Sequence, residues 1–318
     1  MDLLDTLRKK IASISAGDHV AGLNAVLLHI ETAFRHLSRG QDNADETAFT
    51  DAIYRTNQAF EGSIKEAFRV LTEQDPAHKR PYDIEGHLEK EGIFKPRVLS
   101  QFTTYRKDWR NPSTHDYKLY FDESEAFLAI ISVTAFACLL LDQISEQLAF
   151  RSAKAEAESN KAALAASLDA EIEISKRTSN AILEFCQHHM PINNALATTE
   201  SQIVGSLHGF LSSVAPDLTI ETDVLLDQRS RYRADMKVSG TGASVLIEVK
   251  RIYRKDDENQ AIDQVMKYMS LAQVKNSILL FLPGTQSEME MHDVFSASMG
   301  EHISIIKPKK QTGDSRGR

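Results

Sequence analysis

Residues 231–250 read RYRADMKVSG TGASVLIEVK. Two alternating runs flank a turn that holds Gly240 and Gly242. In the first, Tyr232, Ala234, Met236 and Val238 share one face, and Arg233, Asp235 and Lys237 share the other. In the second, Val245, Ile247 and Val249 share a face, which leaves Glu248 and Lys250 together on the opposite one. Both runs therefore read as strands with an apolar and a charged side.

Working outward, residues 218–226 look extended, and 257–272 carry helical spacing. Residues 277–282 form a short apolar strand stopped by Pro283-Gly284, 287–298 read as another helix, and 303–306 as a last strand. This β–β–α–β order predicts a mixed sheet with helices on its faces. The basic tail, 308–318, is expected to be disordered.

The first 150 residues read differently. Val20, Leu23, Leu27, Ile30, Phe34 and Leu37 recur at helical spacing, as do Phe49, Ile53, Phe60, Ile64, Phe68 and Leu71, and no strand pattern appears. Ala126–Leu141 is uncharged and almost wholly apolar, but its 16 residues fall short of the roughly 20 that span a bilayer. Acidic residues flank it, so it reads as the central helix of a bundle. The Ala-, Glu- and Lys-rich stretch that follows reads as a solvated connecting helix. The chain is thus expected to be an α+β multidomain protein: a helical bundle (1–150), a helical linker (151–195), a domain with a mixed α/β sheet (196–307) and the tail.

Length and composition agree. The chain has 318 residues, 42% of them hydrophobic and 26% charged, with net charge −8. Such a charge excludes bulk attraction to nucleic acid, so any such contact needs a local basic patch or a bound cation. Cys138 and Cys186 stand alone, which excludes a disulfide framework and a cysteine zinc site and suits a reducing cytoplasm. The first residues lack a signal-peptide layout. A cytoplasmic protein with no membrane partner is the expectation.

If the two strands of 231–250 are antiparallel neighbours, Asp235 and Glu248 meet. Two carboxylates side by side repel unless a cation joins them, and oxygen donors of this kind suit Mg²⁺ or Mn²⁺. A lone Glu-x-Lys is more often a solvated ion pair; its companions give it weight. Gln264 and Tyr268 lie one turn apart on a helix, and another helix begins near Glu200. Over residues 200–285 this set resembles the PD-(D/E)XK nuclease superfamily. Asp235 matches the first motif carboxylate, although Ala234 stands where proline is expected. Glu248-Val249-Lys250 matches the (D/E)-x-K, Gln264 and Tyr268 the Q-x-x-x-Y of the exonuclease-like branch, and Glu200 the acidic residue of the first core helix. The resemblance implies a restriction-endonuclease-like fold and metal-assisted phosphodiester hydrolysis. Asp235, Glu248 and Glu200 would be metal ligands, Lys250 would be catalytic, and Gln264 and Tyr268 would orient substrate or the metal shell. Arg229, Arg231, Arg233, Lys237 and Arg251 are candidate contacts to the nucleic-acid backbone, or plain surface charges.

A second constellation is Arg110-Asn111-Pro112-Ser113-Thr114-His115-Asp116-Tyr117. Asn111 is placed to cap a helix whose first residue is Pro112, and such an end attracts phosphate. Arg110 would then grip a phosphate, and His115 would move a proton near neutral pH; a surface arginine and a packing histidine are the plainer reading. Glu61 and Lys65, one turn apart, read as a helical ion pair that could also support Arg110. The string resembles the R-x4-H-x-Y signature of HEPN domains, and the likeness covers about residues 1–150. It implies metal-independent RNA cleavage by Arg110 and His115, support from Asn111, and a homodimer with a composite cleft. It also implies possible modification of Tyr117 by a partner nucleotidyltransferase. Together the two resemblances suggest a nuclease effector of defence against phage or foreign nucleic acid, cutting DNA, RNA or both. The alternatives are a single-activity DNase whose bundle only dimerises or senses a signal through a partner, and a non-catalytic nucleic-acid-binding scaffold.

Overall fold

The computed structural model describes residues 3–14, 16–115, 118–159, 173–190, 198–229, 231–240, 242–250, 255–283, 287–296 and 300–309, with the backbone alone at 115, 255–257 and 296. The chain is mixed α+β and divides into two compact units, Met1–Gln147 and Leu148–Arg318.

The first unit is helical among its described residues. It comprises α1 (Leu3–Ala12), α2 (His19–Asn43), α3 (Thr47–Thr72), α4 (Pro81–Lys90), α5 (Pro96–Tyr105), a π-helical turn (Arg106–Arg110), α6 (Asn111–His115) and the larger part of α7 (Glu123–Ser159). Pro81 and Pro96 each open a helix, where the missing N–H costs nothing. A short turn through Ala44, in the left-handed conformation, joins α2 to α3 as a helical hairpin. Phe60 of α3 meets Phe102 and Tyr105 of α5 and Phe136 of α7 at ring-centroid distances of 5.5, 4.6 and 5.1 Å. All four rings are fully buried, so three helices share one aromatic core. The buried Tyr105 hydroxyl reaches Thr56 Oγ1 (2.7 Å) and Asn57 Oδ1 (3.0 Å) and is thereby satisfied.

Among the described residues α7 is the one helix long and apolar enough to cross a membrane; half of its apolar window is buried. Ala126, Ala129, Ile130, Val133, Phe136, Ala137, Leu140, Leu141 and Ile144 are buried, whereas Phe127 and Leu128 are exposed. The buried positions follow helical spacing, as a helix packed on one side requires.

The second unit contains the end of α7, α8 (Ile174–Glu184), a π-helical turn (Phe185–His189), α9 (Glu200–Val214), β1 (Thr219–Leu225), β2 (Arg233–Gly240), β3 (Ala243–Lys250), α10 (Lys255–Ala272), β4 (Asn276–Phe281), β5 (Met289–Ser296) and β6 (Glu301–Pro308). Its six strands form one mixed sheet in the order β1-β2-β3-β4-β6-β5. Strands β1, β2 and β3 are antiparallel neighbours, β3 and β4 are parallel across α10, and β4 and β6 are parallel. Met236, Val238, Val245, Ile247, Val249, Ile278 and Leu280 pack with Ile182, Phe185, Leu207 and Phe210 in one core. Leu279, Phe281, Ile303 and Ile305 pack with Val265 and Met269 of α10 in another. The alternation read from 231–250 is therefore the pleat of a sheet with a core on each face.

Two segments differ from what the sequence predicts. Residues 287–298 were expected to be helical; residues 289–296 instead form β5, antiparallel to β6 from Met289↔Pro308 to Ser296↔Glu301. This is an edge strand, with Phe295 72% and Met291 36% exposed. Its apolar residues fit either period, and the distant partner β6 selects the strand. The linker was expected to run to residue 195, yet Ser175, Thr178, Ala181, Ile182, Phe185 and Cys186 are buried in the second unit. Low hydropathy concealed this, because Thr178 satisfies its own buried hydroxyl on the Ile174 carbonyl at 2.6 Å. Residues 160–172 of the linker and most of the tail lie outside the described residues.

Gly209 on α9 sits directly against the α7 backbone. A Cβ there would lie 2.2 Å from Phe150 O and 2.9 Å from Lys154 N. Backbone cannot swing aside, so Gly209→Ala should cost about 1–3 kcal/mol and lower the melting temperature by several degrees in calorimetry. An unchanged melting temperature would show that α7 and α9 are not in this close contact.

Candidate active site

The hairpin of β2 and β3 fixes the two acids. Val238 lies opposite Val245, Lys237 opposite Leu246 and Met236 opposite Ile247. One more step along this register brings Asp235 to Glu248. There the Val249 N–H donates to Asp235 Oδ2 at 2.7 Å, so a side chain takes the hydrogen bond. Strand β3 is central: on its far side Glu248 lies opposite Leu279 and Lys250 opposite Phe281 of β4, and Leu282 N–H donates to Lys250 O at 2.7 Å. Neither acid can shift without breaking a ladder.

Glu248 is only 5% exposed. Its Oε1 accepts from Lys250 Nζ at 2.7 Å and from Gln264 Nε2 at 3.1 Å. Gln264 also donates to the Tyr268 hydroxyl at 2.7 Å, one helical turn further along α10. Glu248 Oε2 is buried and has no hydrogen-bond partner. A bare buried carboxylate oxygen is costly, and it is the kind of donor a divalent cation would satisfy.

The electrostatics agree. Burial, then the Glu248 charge, with Glu200 adding less, push the Asp235 carboxyl up to about 8 against the Val249 N–H and Lys250. For Lys250, burial alone pulls downward, but Glu248, by charge and hydrogen bond, with Asp235 and Glu200, leaves its pKa raised. Lys250 therefore stays a cation at neutral pH.

Asp235, Glu248, Lys250, Gln264 and Tyr268 are thus brought together as the sequence expected. Glu200 is held at the start of α9 by the Thr199–Gln202 capping box, and its charge is felt at the site. It does not complete a ligand set: among the described residues no three His, Cys, Asp or Glu side chains are spaced to hold a metal. Two carboxylates nonetheless fit Mg²⁺, which keeps several waters and is commonly held by one or two carboxylates plus substrate phosphates.

Of the candidate basic residues, one is committed elsewhere. Arg233 is turned away from a phosphate role: its Nε donates to Asp223 Oδ1 at 2.6 Å and its Nη2 to the Asp223 carbonyl. The charge of Asp223, on the neighbouring strand, competes for the guanidinium. Lys237 lies opposite Glu221, Arg231 sits exposed in the loop before β2, and Arg251 is outside the described residues. Sequence reasoning missed Lys267, whose Nζ reaches the Tyr232 hydroxyl at 2.6 Å and lies 4.1 Å from that ring's centroid. Tyr232 in turn stands 5.9 Å from the Tyr268 ring. Lys267 adjoins Tyr268 in sequence, but its partner across the fold leaves no local signal.

In the first unit, Asn111 does not cap a helix. The helix runs on from α5 through the π-helical turn into α6, and the Asn111 N–H donates to Arg106 O. Pro112 has no N–H and its ring crowds the carbonyl four residues back; a wider turn accommodates both. The expected phosphate-attracting helix end is therefore absent at Pro112. Arg110 Nη1 donates to Asn111 Oδ1 at 3.1 Å, and Nη2 lies 3.8 Å from Glu61 and 4.0 Å from Glu85. Glu61 thus faces Arg110 rather than serving only its own helix. Burial raises the pKa of Glu85 against the pull of Arg110 and Arg106. The His115 side chain and Tyr117 lie outside the described residues.

No family model, curated protein or solved structure matches this chain.

The raised Asp235 carboxyl has a sign that can be tested without substrate. Unfolded, Asp235 loses its proton near pH 4; folded and metal-free, it keeps it to about pH 8. The native state binds the extra proton between these values, so metal-free stability should fall as pH rises through that window. Asp235→Asn should flatten this fall, melting above the parent at pH 8 and close to it at pH 4. Mg²⁺ should raise the parent's melting temperature at pH 8 and not the variant's. Equal pH slopes for both proteins would contradict the geometry.

Proposed function

We propose that the second unit is a metal-dependent nuclease, with DNA as the expected substrate. The carrying observation is the buried, unpartnered Glu248 Oε2 beside an Asp235 carboxyl that the same surroundings keep from ionising. That pairing destabilises a metal-free protein and suits one that binds a divalent ion. The restriction-endonuclease-like likeness is part of the same reading, supported by the carboxylates at the end of a central strand and the Gln264–Tyr268 pair on the following helix.

A bound Mg²⁺ or Mn²⁺ would supply Lewis acidity toward a phosphate and its attacking water. Asp235 and Glu248 would hold it. Gln264, by occupying Glu248 Oε1, leaves Oε2 as the donor. Lys250 remains protonated, so its part is to offset charge that develops on the phosphate rather than to act as a base. Tyr268 keeps the Gln264 amide in place. Glu200 adds negative potential that favours a cation without being required as a ligand.

A second reading, RNA cleavage by the helical unit, is favoured by one observation: Arg110 Nε is buried without a hydrogen-bond partner. A spare guanidinium N–H suits a phosphate oxygen. Dimerisation through this unit, a partner enzyme or sensor, and a role in defence rest on the family resemblance.

With Mg²⁺, the purified protein should degrade DNA. Glu248→Ala and Asp235→Ala should each lower the rate about a hundredfold or more with circular dichroism unchanged, and chelation should stop cutting. RNA cleavage that survives chelation and vanishes in Arg110→Ala would assign that activity to the helical unit. A parent protein that cuts neither polymer with Mg²⁺ or Mn²⁺, or Glu248→Ala that cuts normally, would overturn the nuclease reading.

A further inference from the structure

Beside the carboxylates, the second unit carries one exposed cation that no acid claims. We propose that this cation, Lys267 held by Tyr232, anchors the backbone of the substrate strand next to the phosphate that is cut. The inference deepens the nuclease reading above and rests on it.

An unbroken line of contacts joins Lys267 to the acids. Glu248 Oε1 accepts from Gln264, and Gln264 donates to the Tyr268 hydroxyl. The Tyr268 ring stands 5.9 Å from that of Tyr232. Lys267 Nζ donates to the Tyr232 hydroxyl at 2.6 Å and lies 4.1 Å from the ring centroid. Tyr268 packs on Leu246, which precedes Glu248 on the same face of β3, while Lys250 follows it. The two lysines therefore bracket the acids along the strand. The step from Leu246 to Glu248 covers about 7 Å, which is about two nucleotide steps along a duplex axis. A backbone whose scissile phosphate rests on Asp235 and Glu248 passes Lys267 at about that distance.

The lysines differ in what holds their charge. Lys250 is paired with Glu248. Among the described residues Lys267 is in no ion pair; a neutral hydroxyl and a ring hold it, and it is exposed. An ammonium group has three donors and Tyr232 takes one, so the others and the full charge are open to a phosphate. In a chain of net charge −8, a local cation of this kind is what draws a polyanion to the site. Tyr232 is itself fixed. The Leu226 N–H donates to its carbonyl at 2.9 Å, and its ring packs against Ala234, Leu246 and Tyr268. A free lysine loses rotamer freedom when it grips a ligand, and here the tyrosine has removed part of that freedom beforehand. A contact to the backbone carries no base preference.

The test reads binding and cutting separately on the full chain. Anisotropy of an end-labelled DNA duplex in low salt with chelator gives Kd, and steady-state rates with Mg²⁺ give KM and kcat. Lys267→Ala should weaken binding and raise KM more than it lowers kcat. One phosphate contact contributes about 0.9 to the salt slope, so from about 50 to about 200 mM salt the parent's Kd should rise about threefold more than the variant's. Lys267→Arg should keep the parent's slope. Tyr232→Phe keeps the ring and the lysine but loses the hydroxyl, so it should raise KM less than Lys267→Ala and leave the slope intact. A merely structural role would lower kcat and melting temperature together and leave the salt slope alone. Lys267→Ala with the parent's KM, or with the parent's slope, overturns the proposal even where the parent cuts DNA. A parent that binds DNA through Lys267 and cuts nothing supports the anchor and removes the nuclease reading. A parent that neither binds nor cuts removes both.

Discussion

Asp235 and Glu248 repel each other, and the sheet holds them together regardless. The hold is made of directional bonds: the Val249 N–H on one acid, Lys250 and Gln264 on the other, and β4 locked against the far side of β3. Helix α10, between β3 and β4, delivers Gln264 and Tyr268 to the carboxylate face. The opposite face of the same strand carries Val245, Ile247 and Val249 into the core. The cost of charge at Asp235 comes from its own burial and from the Glu248 charge beside it.

Beside its aromatic core the helical unit satisfies its buried polar groups. Around the Phe60 rings, the Tyr105 hydroxyl, Thr56, Asn57 and Ser113 form a connected set, with Asn57 Nδ2 donating to Ser113 Oγ at 2.7 Å. Ser113 follows Pro112 in α6, so this set ties the π-helical turn and its Arg110 to the bundle core. Arg110 is thus anchored from beneath while its guanidinium faces acids from α3 and α4.

The parts of this molecule legible in sequence are those with a short period or a short spacing. The alternation over 231–250 gives β2, β3 and the shared face of Glu248 and Lys250, and four-residue spacing gives Gln264 and Tyr268. What escaped the sequence depends on partners far along the chain. β5 is a strand because β6 is there; its own residues suit either period. α8 is core although Ser175, Thr178 and Ser179 make it polar; Thr178 returns its hydroxyl to the Ile174 carbonyl, a bond that no hydropathy scale records. Arg233 looks like a phosphate ligand until Asp223, ten residues earlier, claims it. Asn111 and Pro112 carry the composition of a helix start, and the π-helical turn lets an existing helix pass through them.

The place of α8 in the core bears on how small an autonomous fragment of the second unit can be. Its Ile182 and the adjoining Phe185, with Ala157 from the end of α7, lie against Met236, Val245 and Ile247. A truncation starting at residue 196 would remove those three side chains and turn the back of the carboxylate-bearing strands toward solvent. The compact unit itself begins at Leu148, inside a continuous helix, so a fragment that keeps these contacts has to start within α7.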